Sequence, residues 1–264
     1  MIDLEMFSGL PIQLGDDNKL KMNQPLPALQ PSIRTSDEIK DVLMDPSAAP
    51  AGAEMYYMYR NVHMPEHEEL LKQWNVSYDI TVIPAGKIGS EFVKTVGHYH
   101  AVKPGTQIAY PEAYEVINGK ALFLLQKMDS LFQDVITIIA VEAKAGEKVV
   151  YPPNYGHIIV NIGDETLVTS NWVGDGFERM YKQVSDRQGL AYYVVADEAG
   201  GYKFAKNEKY GKAPEVRMIT RDFMNRFELM GDGPMYLTGV SNPKSLDFLN
   251  HPDKYAVELS SITS

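Results

Sequence analysis

Cysteine is absent from this 264-residue chain. That removes a disulfide framework, a thiolate metal site and a cysteine nucleophile in one step, so any metal must sit on nitrogen and oxygen ligands. Positive charge is scarce as well: 25 Lys and Arg against 35 Asp and Glu give a net charge of −10. A general nucleic-acid surface needs a basic face, so no nucleic-acid partner is expected. A small anionic substrate is compatible with this balance, provided a cation and a few donors are concentrated in one pocket. No run approaches the roughly twenty apolar residues of a membrane span. Met1-Ile2-Asp3-Leu4-Glu5 carries acidic residues where a signal peptide has basic ones. A soluble, cytoplasmic protein is the expectation. Internal repeats and low-complexity tracts are also missing.

What is present suffices for a sizeable core. Hydrophobic residues make up 44% of the chain, and the length fits one decorated β-barrel domain. Residues 1–34 show no clear period and carry Pro11, Pro25, Pro27 and Pro31; they read as an N-terminal arm wrapping the core. Thr35 to Glu38 has the form of a capping box, and Ile39, Val42 and Leu43 share a helical face, which predicts a short helix over 36–44. A second helix is predicted over 65–74, with Pro65 in its first turn and Leu70, Leu71 and Trp74 on one face. From Tyr78 the period becomes strand-like. Residues 78–83, 91–96, 113–117, 121–126, 135–141, 148–151, 158–161 and 167–173 are short β-rich runs broken by Gly, Pro, Asn or Asp. Asn118-Gly119 is the strongest hairpin signal, because a type I′ turn needs positive φ at both central residues. Residues 192–196 and 202–204 suggest one more hairpin, turning at Gly200-Gly201. Closely spaced strands with no intervening helix predict an all-β antiparallel barrel or jelly roll with a few peripheral helices. The barrel domain is set at 35–213, followed by a C-terminal extension, 214–264, with a helical reading for 220–229.

Of six histidines, three fall in the strand-rich centre. His98 and His100 are two apart on a predicted strand edge, which puts both imidazoles on one face, able to converge on one ion. Glu112 begins a strand beyond an eleven-residue connection, and His157 follows the Tyr151-Pro152-Pro153 turn. Three imidazoles and a carboxylate suit one divalent ion, Fe²⁺, Mn²⁺, Ni²⁺ or Zn²⁺, with coordination positions left open. His63-Met64-Pro65-Glu66-His67 also spells an H-x-x-E-H pattern of helical zinc peptidases. Pro65 interrupts it and no third ligand is apparent, so a solvated helix start is the better reading.

These residues resemble a known signature. Gly97-His98-Tyr99-His100, then Glu112 with six residues to Gly119, then Gly146 through Pro152, Pro153 and His157, follow the two motif blocks of the cupins. Gly86-Lys87-Ile88-Gly89-Ser90-Glu91-Phe92 and Val160-Asn161-Ile162-Gly163-Asp164-Glu165 bring the chain closer to the cupin-type, archaeal-type glucose-6-phosphate isomerases, over about residues 35–210. The resemblance implies a double-stranded β-helix and an isomerase interconverting glucose 6-phosphate and fructose 6-phosphate, with Fe²⁺ first among the candidate ions and a homodimer as its assembly. His98, His100, Glu112 and His157 match the family's metal ligands. Thr81, Thr95 and Gly97 match positions that hold the sugar phosphate, and Tyr114 and Tyr56 match tyrosines lining the site.

Two departures stand out. The connection 101–111 is longer than the family's by several residues, so Glu115 competes with Glu112 as ligand. Where the family has Gly-His-Asp-Tyr after the barrel, this chain reads Gly176-Phe177-Glu178-Arg179-Met180-Tyr181, which makes Glu178 and Tyr181 the candidates for proton exchange. Isomerisation moves a proton between C1 and C2 through an enediol, or a hydride directly; on the enediol route Glu112, at the metal, is the candidate base. Competing functions are another metal-dependent cupin enzyme, such as an oxygenase, and a non-catalytic sugar-binding cupin.

Overall fold

The computed structural model describes residues 1–220 and 227–263. Two sheets make the body. The larger has six strands in the order Lys148–Tyr151, Glu112–Asn118, Leu167–Gly174, Val76–Ile83, Glu54–Tyr59 and Ser32–Thr35, every neighbour antiparallel. The smaller orders Tyr155–Asn161, Lys120–Met128, Val135–Lys144 and Val216–Met218; its last pair is parallel. Between residues 112 and 174 the chain passes back and forth between the two, which is the jelly-roll connection expected for an all-β cupin fold. Tyr114 and Tyr151 of the larger sheet pack against Phe123 of the smaller, each at a ring separation of 5.7 Å, so the sheets face one another across the core.

The central strands are buried on both faces; Leu167–Gly174 is buried at all eight positions. The inner face packs on the second sheet. The outer face is covered by the C-terminal extension, whose short helices Met235–Ser241 and Asp247–Asn250 pack on it; Ala256–Ser260 lies instead by residues 152–155. Tyr236 stacks on Trp172 at 5.9 Å and meets Tyr78 edge-on at 5.0 Å. The Trp172 indole N–H donates to the Met235 carbonyl. Residues 1–34 are more ordered than an extended arm: Ile2–Asp3, Ile12–Leu14 and Leu20–Met22 form a three-stranded sheet, and Leu4, Leu10, Ile12 and Leu14 join the same hydrophobic cluster as the barrel.

The local elements that backbone chemistry dictates form where the sequence predicts them. Ser36–Ile39 and Lys40–Val42 form the first helix, and the Glu38 carboxylate accepts from the Thr35 N–H at 2.8 Å. Pro65–His67 and Glu68–Trp74 form the second. The hairpin Tyr192–Ala196 with Tyr202–Lys206 turns at Gly200 and Gly201, both at positive φ.

Asn118-Gly119 is different from expectation. It joins strands of two different sheets and is a corner rather than a hairpin. Only Gly119 has positive φ, +83°, and a Cβ there would meet the Leu167 Cα and Thr166 O at 3.1 Å. The Asn118 side-chain amide instead donates to the Thr166 carbonyl. Of the strand predicted over 91–96 only Glu91–Phe92 is regular, and Val216–Met218 is a strand that the mixed signals of the extension concealed. Of the helix expected over 220–229, residues 221–226 lie outside the described residues, and Glu228–Met230 is a single 3₁₀ turn. Among the described residues no helix is long and apolar enough to cross a membrane.

Candidate metal centre

After Phe92 the chain runs irregularly alongside Tyr155–Asn161, bridging at Lys94 with Val160 and at His98 with His157. Between those bridges the pairing slips by one residue, where Gly97 adopts φ +80°. A Cβ on Gly97 would run into the Ile158 side chain and come within 2.9 Å of the His157 carbonyl, so only glycine lets the two segments approach and set His98 opposite His157. Tyr99–His100 then pairs with Arg179–Met180, and Glu112 opens the next strand of the larger sheet.

These elements bring four side chains together. Donor atoms of His98, His100, Glu112 and His157 all lie within 4.8 Å of one another. His98 Nε2 and His100 Nε2 are 3.1 Å apart, and Glu112 Oε2 is 3.4 Å from Nε2 of both His100 and His157. Neither Glu112 Oε2 nor His157 Nε2 has a hydrogen-bond partner among the described residues. Unsatisfied buried atoms of this kind are uncommon, and convergent ones fit a cation that coordinates them.

The protonation states agree with that fit. Burial holds the His98 and His157 imidazoles well below their ordinary range, and takes His100 down to about 3 against the opposing effect of its bond to the Tyr110 carbonyl. Neutral imidazoles keep a lone pair for a metal. The Tyr110 carbonyl can only accept, so His100 Nδ1 is the donor at 2.8 Å and Nε2 is left bare toward the cluster. Tyr110 belongs to the connection 101–111, which folds on itself through a Val102–Ala109 bridge. Burial lifts the Glu112 carboxyl to about 7, and the Asn171 amide donates to its Oε1 at 2.7 Å.

Glu115 is not at the centre. Strand alternation turns it to the outer face, where its carboxylate accepts from the Met235 N–H at 2.8 Å and lies 3.7 Å from Lys148 Nζ. Glu112 is the carboxylate of the cluster. His63 and His67 are also elsewhere: His67 Nδ1 bonds the Tyr236 hydroxyl at 2.7 Å, and His63 Nδ1 meets the Met64 carbonyl.

Tyr114 shares the inner face with Glu112, its ring 6.5 Å from that of His157. Thr81 is buried on the inner-facing side of Val76–Ile83. Thr95 Oγ1 accepts from the Ile159 N–H at 3.0 Å, leaving its own proton free to donate, and the Tyr56 hydroxyl accepts from the Val96 N–H. The Tyr181 ring lies 5.0 Å from that of His98. Glu178 is exposed, and its side chain makes no hydrogen bond or ion pair among the described residues.

A cavity of about 720 Å³ is lined by Arg60, Ser77, Asp79, Arg179 and Tyr181 among others; it reaches the cluster's surroundings through Tyr181, which packs on His98, while the four cluster residues and Thr81, Thr95 and Gly97 are not on its wall. Arg60, Asp79, Asn171 and Arg179 were not singled out in the sequence. Asp79 had a usable signal: it is a charged residue inside a strand that is otherwise a core strand. Tyr151, a strand end and turn residue in the sequence, has its ring 4.1 Å from His157 and a buried hydroxyl without a partner among the described residues.

Residues 33–211 match the family model described as glucose-6-phosphate isomerase. The glucose-6-phosphate isomerase of Thermococcus onnurineus is 27% identical over 185 residues, covering 70% of this chain and 90% of that protein. That of Pyrococcus furiosus is 33% identical over 151 residues, 57% of this chain and 72% of that one. Among solved structures, a variant of Bacillus subtilis oxalate decarboxylase OxdC overlaps 50% of this chain and 29% of its own, with 20% identity and a TM-score of 0.35.

Proposed function

Because the chain belongs to the glucose-6-phosphate isomerase family, we propose that it interconverts glucose 6-phosphate and fructose 6-phosphate at a divalent metal held by His98, His100, Glu112 and His157. The observation that carries this reading is the cluster itself: three neutral imidazoles and a carboxylate within 4.8 Å, with bare donor atoms. A nitrogen and oxygen donor set without thiolate suits Fe²⁺ first, with Mn²⁺, Ni²⁺ and Zn²⁺ as alternatives. When bound, the ion supplies Lewis-acid polarisation of the sugar oxygens.

The chain's own residues do the rest. Glu112, with one oxygen held by Asn171, is the residue that takes and returns the proton. Tyr114 and Tyr181 flank the reacting end, and Tyr181 replaces the family's missing histidine as the residue for proton exchange at the ring oxygen. The Thr81 and Thr95 hydroxyls and the Gly97 amide take the phosphate, and the Tyr56 hydroxyl steadies the segment carrying them by accepting from Val96. Phosphate binding there supplies interaction energy remote from the reacting carbons. A cytoplasmic location and a homodimer belong to the same reading.

The test is formation of glucose 6-phosphate from fructose 6-phosphate, coupled to a dehydrogenase, before and after chelation. Activity lost on chelation and restored by Fe²⁺ or Mn²⁺ is expected. Oxygen uptake without isomerisation would mark an oxygenase instead, and sugar-phosphate binding without either reaction a non-catalytic binding protein.

A further inference from the structure

Three cationic side chains line the cavity: Arg60, Lys72 and Arg179. Arg60 is paired with Asp79 at 2.5 Å, and Lys72 with Glu68 and Glu69 at 2.8 and 3.0 Å. Arg179 has no carboxylate partner among the described residues; its guanidinium lies 5.7 Å over the Phe177 ring. A half-buried guanidinium keeps five N–H donors in a planar fork, and the groups that satisfy such a fork are carboxylates, phosphates and other anionic oxygens.

The backbone decides which part of a ligand Arg179 meets. It stands directly opposite His100 in the ladder of Arg179–Met180 with Tyr99–His100. Phe177, two residues earlier and on the same face, packs on the His100 ring at 4.7 Å and stacks on Tyr110 at 4.6 Å. Arg179 is thus carried on the same support as the cluster.

We infer that Arg179 is a substrate-binding residue that meets negative charge at the reacting end of the sugar phosphate, beside the cluster and away from the phosphate. The inference rests on the sugar-phosphate reading above. When the C2 proton leaves to a base, the electron pair it leaves behind moves into a carbon–carbon double bond and the carbonyl oxygen gains the charge. The guanidinium stabilises that oxygen as a fixed cation and gives up no proton, since arginine stays protonated in proteins.

Two ligands that differ only at C1 test this: gluconate 6-phosphate, with a carboxylate there, and glucitol 6-phosphate, with a neutral hydroxymethyl group. Both are titrated calorimetrically into Mn²⁺-loaded protein. The parent is expected to prefer gluconate 6-phosphate by about tenfold or more, the scale of a charge-assisted hydrogen bond. Arg179→Met should cut that preference about tenfold relative to the parent, the remainder being the metal's own, with affinity for glucitol 6-phosphate near that of the parent. Arg179→Lys, which keeps the charge and loses the fork, should keep part of it, and it serves alone if the Met variant does not fold. A preference unchanged in both variants overturns the inference, as does equal weakening of both ligands, which would put Arg179 at the phosphate. A parent that binds both ligands but does not isomerise fructose 6-phosphate removes the isomerase reading and leaves the inference standing. A parent that binds neither removes both.

Discussion

The Asn171 side chain donates to Glu112 Oε1 at 2.7 Å and so leaves Oε2 as the oxygen that faces His100 and His157. Both residues are buried on adjacent strands of the larger sheet, where Asn171 stands in register with Tyr114 and Glu112 with Val173. A partner of this kind orients a ligating carboxylate, and its loss lowers metal affinity by roughly 10- to 100-fold. Asn171→Leu is expected to weaken Mn²⁺ binding by about that factor in a protein that still folds. A metal titration giving the parent affinity in the folded variant would count against the assigned role.

Glu112 and Glu115 are three residues apart on one strand and face opposite sides of it, which makes a contrast pair. Glu112→Gln should abolish metal retention, measured by elemental analysis after dialysis. Glu115→Gln should retain the metal in full. It should instead cost about 1–3 kcal/mol in urea denaturation, because its buried carboxylate serves the Met235 N–H and neighbours Lys148. Metal loss in the Glu115 variant, or retention in the Glu112 variant, would reverse the assignment.

The four clustered side chains were legible because their logic is local: His98 and His100 at a spacing of two, and a carboxylate and imidazole at strand starts. The capping box at Thr35 and the paired glycines of the 200–201 turn were legible for the same reason. Arg60, Asp79 and Arg179 were not, because their meaning depends on which strands become neighbours: Asp79 is placed by its register with Asn171, and Arg179 by its register with His100. The corner at Asn118-Gly119 misled because its sequence is the same whether the next strand returns to the same sheet or crosses to the other. The extension was opaque for a further reason. Its apolar residues follow no single period, since they fill the outer face of a sheet already built by Trp172 and Tyr78.

Tyr236 ties that extension to the rim of the cavity. Its hydroxyl accepts from the Met64 N–H at 2.8 Å and meets His67 Nδ1 at 2.7 Å, while its ring stacks on Trp172. Tyr236→Phe keeps the ring and removes the hydroxyl. It is expected to lower stability by about 1–3 kcal/mol, since the Met64 N–H is left without its partner. An unchanged denaturation midpoint would show that water replaces the bond.

The pH dependence of the metal-free protein follows from the same burial that readies the cluster for a cation. His98, His100 and His157 are held below the ordinary imidazole value of 6.5, so the unfolded chain binds protons that the folded one refuses. Their contribution to stability is present above 6.5 and is lost as pH falls toward 3, where His100 titrates. Glu112 and Glu115, raised by burial from 4.5 to about 7, act in the opposite sense: their contribution is present below 4.5 and is lost as pH rises through about 7. Between 4.5 and 6.5 the two effects oppose each other; below 4.5 only the imidazoles act, and each unbalanced proton changes stability by about 1.4 kcal/mol per pH unit. Three imidazoles against two carboxyls leave one proton unbalanced, so the thermal midpoint of chelated protein should fall gently from pH 6.5 to 4.5 and about three times as steeply below that. Replacing His100 with Gln should make the acid limb shallower. A midpoint that holds constant on acidification below 4.5, or an acid limb equally steep in the variant, would show that the imidazoles are not buried neutral as the fold places them.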